Sequence, residues 1–117
     1  MQLNEVTYTD ATPIDGYGPG FFRVGGQVVQ GSTLVLPSRA VSWGGYDDLE
    51  AVLACAGEID VLLVGTGAEI SHAPAAFRAA VEGAGIGLEV MASPPACRTY
   101  NVLLGEGRRI GAALLTV

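Results

Sequence analysis

The sequence predicts an α/β fold of three layers: a mixed β-sheet with helices, plus an antiparallel β-layer contributed by the N-terminal part. Three observations lead there. The first 43 residues hold short β-prone runs punctuated by glycine turns. After them the pattern changes to helices of roughly ten residues alternating with short apolar runs, the signature of βαβ units. Half of the 117 residues are hydrophobic and 15% are charged, which gives one domain over residues 1–117 a real core and argues against disorder.

In the N-terminal part, Phe21-Phe-Arg-Val24 and Gln27-Val-Val-Gln30 flank Gly25-Gly26. Two central residues able to take φ > 0 make this a hairpin signal. Gly31-Ser32 marks a second turn, and Thr33-Leu-Val-Leu36 is a strand ended by Pro37. Ala40-Val-Ser-Trp43 reads as a short strand. Gly16-Tyr-Gly-Pro-Gly20 is expected to be a loop, because it is too glycine-rich for either regular element. Hairpins at this end make a purely parallel sheet unsuitable.

In the second part, Asp47 is placed to cap a helix, with Glu50 three residues on as in a capping box. Leu49, Val52, Leu53 and Ala56 form its apolar stripe, and Gly57 closes it. Asp60-Val-Leu-Leu-Val64 is a short apolar run between turn signals, as for a buried strand. Pro74 suits the first turn of the next helix, striped by Phe77, Ala80, Val81 and Ala84. Gly85-Ile-Gly87 leads into the strand Leu88-Glu-Val-Met91. Ser93 is expected to cap a third helix with Pro94 or Pro95 in its first turn, Gly105 and Gly107 stop it, and Ile110 to Val117 is the last strand.

Composition removes several function classes. A net charge of −6 disfavours nucleic acid as a partner. No apolar run reaches the roughly 18 residues of a transmembrane segment, and Met1-Gln-Leu-Asn-Glu has no signal-peptide character. Cys55 and Cys97 form no disulfide framework, so the expected compartment is the cytoplasm. Two cysteines and the single His72, dispersed, make no zinc site, and GxSxG, HExxH and P-loop motifs are absent. The chain calls for no cofactor.

Charge is uneven. Residues 44–90 hold eight acids against Arg78, whereas residues 91–117 hold Arg98, Arg108 and Arg109 against Glu106. The C-terminal part is therefore locally positive.

The ordered set Gly16-Tyr-Gly-Pro-Gly20, Gly31-Ser32, Pro37 with Trp43, Val64-Gly-Thr-Gly67, Gly87-Leu-Glu-Val-Met91 and Cys97-Arg-Thr-Tyr-Asn101 followed by Glu106-Gly-Arg108 resembles the Mth-domain family over nearly the whole chain. The resemblance implies a three-layer fold with a mixed sheet. It implies no catalytic activity. It includes a mitochondrial relative that acts as an assembly factor of respiratory complex I by binding protein.

Two readings of function follow. The leading one is a non-enzymatic interaction or assembly-factor-like module with an unidentified protein partner, or a second copy as a homodimer. The other is a small-molecule or anion-binding protein with weak catalysis at most. Its candidate pocket combines Gly65, Thr66 and Gly67, at the end of a buried strand where N–H groups can cradle an anion, with Arg98, Tyr100 and Asn101 on the third helix. Against this pocket stand a plain tight turn at Gly65-Thr-Gly67, an Arg98 ion pair with an acid such as Glu89, and an Asn101 bond to loop backbone. The turn carries no dinucleotide fingerprint, since Ile70 occupies the third glycine position. Cys97, in the first turn of that helix, is either an activated thiol or a small buried residue. Phe21, Phe22, Trp43 and Tyr46 are either core or an exposed interface cluster.

Overall fold

The computed structural model describes residues 12–117. The reading of Met1–Glu5 lies outside them. The described residues form eight strands and three α-helices. Strands β1 (Ile14–Gly18), β2 (Phe21–Val24) and β3 (Gln27–Gln30) make an antiparallel sheet in that order. Strands β4 (Thr33–Leu36), β5 (Arg39–Ser42), β6 (Val61–Thr66), β7 (Gly87–Met91) and β8 (Ile110–Leu115) make a mixed sheet ordered β5-β4-β8-β6-β7. Helices α1 (Leu49–Leu53), α2 (Ala75–Gly83) and α3 (Ser93–Gly105) complete the layers.

The Gly25-Gly26 hairpin is as expected. Both glycines have positive φ, 57° and 81°, and Val24 pairs with Gln27. The expected loop at Gly16–Gly20 is instead largely strand. Gly16, Tyr17 and Gly18 pair with Arg23, Phe22 and Phe21. The reason is cross-strand packing. A Cβ on Gly18 would stand 2.5 Å from Cε1 of Phe21, so the glycine makes room for an aromatic ring over the strand. Partner contacts of this kind outweigh the low β-propensity of glycine.

The five-stranded sheet is covered on both faces. On β6, Leu62 and Val64 join one buried cluster with Leu34, Leu36, Trp43, Val52, Phe77 and Val81. Leu63 points the other way, into a cluster with Val35, Ala112, Leu114, Ala96, Cys97 and Tyr100, plus Ile14, Phe22 and Val24 of the small sheet. The period-2 alternation of strands thus divides the core between α1 and α2 on one face and α3 with the small sheet on the other. Three layers result. The parallel connections explain the split: β6 to β7 runs one way along the sheet and β7 to β8 runs back, so right-handed crossovers place α2 and α3 on opposite faces.

Two helix starts differ from expectation. Gly45–Asp47 forms a 3-10 turn, and α1 begins two residues later with Asp48 at its cap position. Neither Asp47 nor Asp48 caps through its side chain. The Asp48 carboxylate instead accepts from Gly44 N at 3.0 Å, and Asp48 O accepts from the buried Trp43 indole at 3.2 Å. The 3-10 turn takes up Asp47, and the Asp48 carboxylate at the cap position is already bonded to Gly44 N. Ser93 is the first helical residue of α3 rather than its cap, because its hydroxyl serves the sheet, as described below. At the other end of α3, Gly107 takes φ 81° while Arg108 N and Gly107 N donate to Leu103 O and Leu104 O. This is a Schellman stop, as the glycines suggest.

Candidate functional site

The end of β6 is built around two glycines. Gly65 is buried, and a Cβ there would lie 2.6 Å from Ser93 Oγ and 2.9 Å from Ser93 Cα. Gly67 has φ 101°. Ser93 clasps Gly67 from both sides: its hydroxyl accepts from Gly67 N at 2.9 Å and its own N donates to Gly67 O at 2.8 Å. The same hydroxyl donates to Leu115 O at 2.6 Å. Thr66 Oγ1 donates to Glu69 O at 2.7 Å and accepts from Ser71 N at 3.1 Å. The turn's polar groups are thus occupied by the fold.

The candidates on α3 serve different neighbours. Asn101 makes a two-way clasp with β1: Oδ1 accepts from Ile14 N and Nδ2 donates to Ile14 O, both at 2.8 Å. This is a backbone bond of the kind anticipated, made to a strand rather than a loop. Tyr100 is fully buried, its hydroxyl has no partner among the described residues, and burial pushes its ionisation upward. Arg98 is exposed and forms no ion pair, with Glu89 or another acid, among the described residues. Ser93, which holds the Gly67 turn, and Asn101, which holds β1, stand about 12 Å apart along the helix. Thr66, Gly67 and Asn101 thus bond to separate parts of the fold, while Arg98 and the Tyr100 hydroxyl have no such partner among the described residues.

Cys97 is buried, and burial pushes its thiol up to about 11, with Arg98 pulling weakly the other way. That is an inert core thiol. Cys55 is also free and buried, and burial together with Glu58 raises it. Trp43, Tyr46 and Phe77 pack edge-on or tilted at centroid separations of 5.1–6.1 Å. Phe22 and Trp43 are buried and Phe21 and Tyr46 half-buried, so these aromatics are core. Among the described residues no group of three or more His, Cys, Asp or Glu is placed to hold a metal. Of the arginines near the C-terminus, Arg109 is engaged by Gly57 O at 2.9 Å and Asp60 at 3.5 Å.

A cleft opens a few residues beyond the expected turn. It has a volume of about 330 Å³ and is lined by Ile70, Ser71, His72, Ala73, Arg78 and Val90. It sits where the chain leaves β6 for α2, against Val90 near the carboxyl end of the adjacent parallel strand β7. Open α/β sheets place ligands outside the carboxyl ends of their strands. The candidate turn of the sequence ends at Gly67, three residues before the first residue of this cleft. The missed signal was a Ser71-His72 pair between a buried strand and the Pro74 helix start.

Comparison with known proteins agrees with the fold. An uncharacterised protein of Rhodobacter capsulatus is 50% identical over 115 residues, covering 98% of this chain and 93% of that protein. NADH dehydrogenase (ubiquinone) 1 alpha subcomplex assembly factor 3 of Rattus norvegicus is 31% identical over 122 residues, covering 98% of this chain and 66% of its own length. The chain thus spans about two thirds of that assembly factor. Among solved structures, an outer membrane protein from Bartonella henselae superposes with a TM-score of 0.81 at 34% identity, covering 93% of this chain and 98% of its own. A Bordetella pertussis protein described as an Mth938-like domain superposes with a TM-score of 0.76 at 26% identity, covering 98% and 92%. Residues 14–115 match the family described as protein of unknown function DUF498/DUF598, and this chain belongs to that family, the Mth938-like domains.

Proposed function

We propose that this chain acts as a single, non-enzymatic protein-interaction module, similar in role to an assembly factor, and that it engages its partner at the loop after β6. The observation that carries this reading is Ile70. It is 68% exposed, more than any other large hydrophobic residue among those described. Its loop is held in shape by the Thr66 hydroxyl, bonded on either side of Ile70 to Glu69 O and Ser71 N. An apolar side chain presented on a pre-shaped loop loses little entropy on docking, as interface anchors require. The likeness to an assembly factor over 98% of the chain supports the same role. Two free thiols suit a cytoplasmic site of action, and among the described residues no helix is long and apolar enough to cross a membrane.

An anion pocket formed by Gly65, Thr66, Gly67, Arg98, Tyr100 and Asn101 has less support, because Gly67 N–H and both Asn101 amide groups already have partners. The test is affinity capture at native expression level with mass spectrometry, comparing the wild type with Ile70→Asp. The variant should lose a specific partner while its melting temperature stays unchanged. Equal capture by both would overturn the reading. Light scattering adds the second-copy outcome: a wild-type dimer that Ile70→Asp converts to monomer makes the partner another copy of this chain.

A further inference from the structure

The cleft after β6 shares Ile70 with the interaction reading, but its polar side chains Ser71, His72 and Arg78 are used neither by that reading nor by packing. Its floor is apolar: Ala73 and Val90 pack against the buried cluster under α1 and α2. Its wall is the exposed Ile70. Its rim is polar. Ser71 and His72 are exposed, and no side-chain hydrogen bond of either is present among the described residues. Arg78 reaches the rim from the first turns of α2. One guanidinium nitrogen lies 3.2 Å from Glu82, in an i,i+4 pair with both side chains about half exposed. Such an exposed pair contributes little, so it leaves the guanidinium available to a better acceptor. Ala73 and Arg78 flank the start of α2, whose cap residue Pro74 offers no side-chain acceptor to the first amides. Hydroxyl, imidazole and guanidinium groups therefore border one apolar hollow.

We infer that this cleft binds a small carboxylic acid, with the carboxylate held at the Ser71, His72 and Arg78 rim and a short aliphatic chain laid along Ile70, Ala73 and Val90. Arginine supplies the fork geometry that carboxylates match. A volume of about 330 Å³ is at the lower end for a ligand site, which restricts the guest to a short chain. The apolar lining separates it from sites for bare phosphate or sulfate. This inference does not rest on the interaction reading, and its test contains no partner protein.

The experiment titrates the full chain with hexanoate while following amide shifts, with acetate, inorganic phosphate and 1-hexanol as matched controls. Hexanoate should saturate at millimolar concentration, with the largest shifts at residues 70–78 and 90, and each control should bind at least tenfold more weakly. Arg78→Gln should weaken hexanoate about tenfold, the size of a lost charge-assisted bond. Glu82→Gln, which releases Arg78 and removes a nearby negative charge, should tighten it about two- to fivefold. Both positions are exposed enough for the variants to fold, and an unchanged melting temperature confirms that. Absence of shifts at residues 70–78, equal binding of 1-hexanol or acetate, or full affinity in Arg78→Gln would overturn the assignment.

Discussion

A Cβ placed on Gly65 would meet Ser93 Oγ at 2.6 Å, Leu114 Cδ2 at 2.8 Å and the Ser93 backbone at 2.9 Å. Only the first two can give way, and both belong to groups that hold the end of the sheet. Gly65→Ala should therefore lower stability by about 1–3 kcal/mol through overpacking, measured by urea denaturation; an unchanged midpoint would show that α3 can shift freely. Cys97 makes a pH prediction. Its thiol lies near 11 in the folded chain against 9.0 for a free group, raised by burial. Between those values the unfolded chain has lost this proton and the folded chain keeps it, so stability falls as pH rises from 9 to 11. Below pH 9 the contribution is constant. Cys97→Ala should flatten that slope relative to the wild type, and an identical slope would remove the thiol as its cause. Alkylation of native protein at pH 8 should likewise be slow at Cys97.

At the scale of elements, α3 is the part that joins the two sheets. Its N-terminal residue Ser93 holds the ends of β6 and β8 through Gly67 and Leu115, and its Asn101 holds β1 through both polar groups of Ile14. Asn101→Ala leaves a half-buried N–H and C=O without partners and should cost about 2–3 kcal/mol. Hydrogen exchange is the sharper readout. The Ile14 amide should lose protection well before amides of β6, and equal exchange in wild type and variant would show that the clasp contributes nothing. This role of Asn101 was not legible from helical spacing. Position i+3 from Arg98 identified a shared side of the helix but not what lay opposite, because β1 is 87 residues away in sequence. The hairpin at Gly25-Gly26 and the glycine stop of α3 were legible because each depends on residues within one turn of itself.

Across the whole molecule, one buried cluster contains residues from the small sheet (Ile14, Phe22, Val24), the large sheet (Val35, Leu63, Ala112, Leu114) and α3 (Ala96, Cys97, Tyr100). The two sheets therefore share a core and should not unfold separately. Trp43 fluorescence, which reports the opposite cluster, and far-ultraviolet circular dichroism should give coincident denaturation curves; two resolved transitions would show that the small sheet melts alone. By itself the sequence determined the class of fold, the Gly25-Gly26 hairpin and the glycine stop of α3, since hydrophobic period and glycine chemistry act over a few residues; α1 instead ends at Leu53, short of Gly57. Tertiary structure alone decided that Gly16–Gly18 is strand, that the indole of Trp43 finds its acceptor at Asp48 O, that Ser93 binds the sheet rather than its own helix, and that Ser71, His72, Arg78 and Val90 share a cleft. Those outcomes depend on groups brought together from distant parts of the chain, where burial forces each polar atom to find a partner that local pattern does not name.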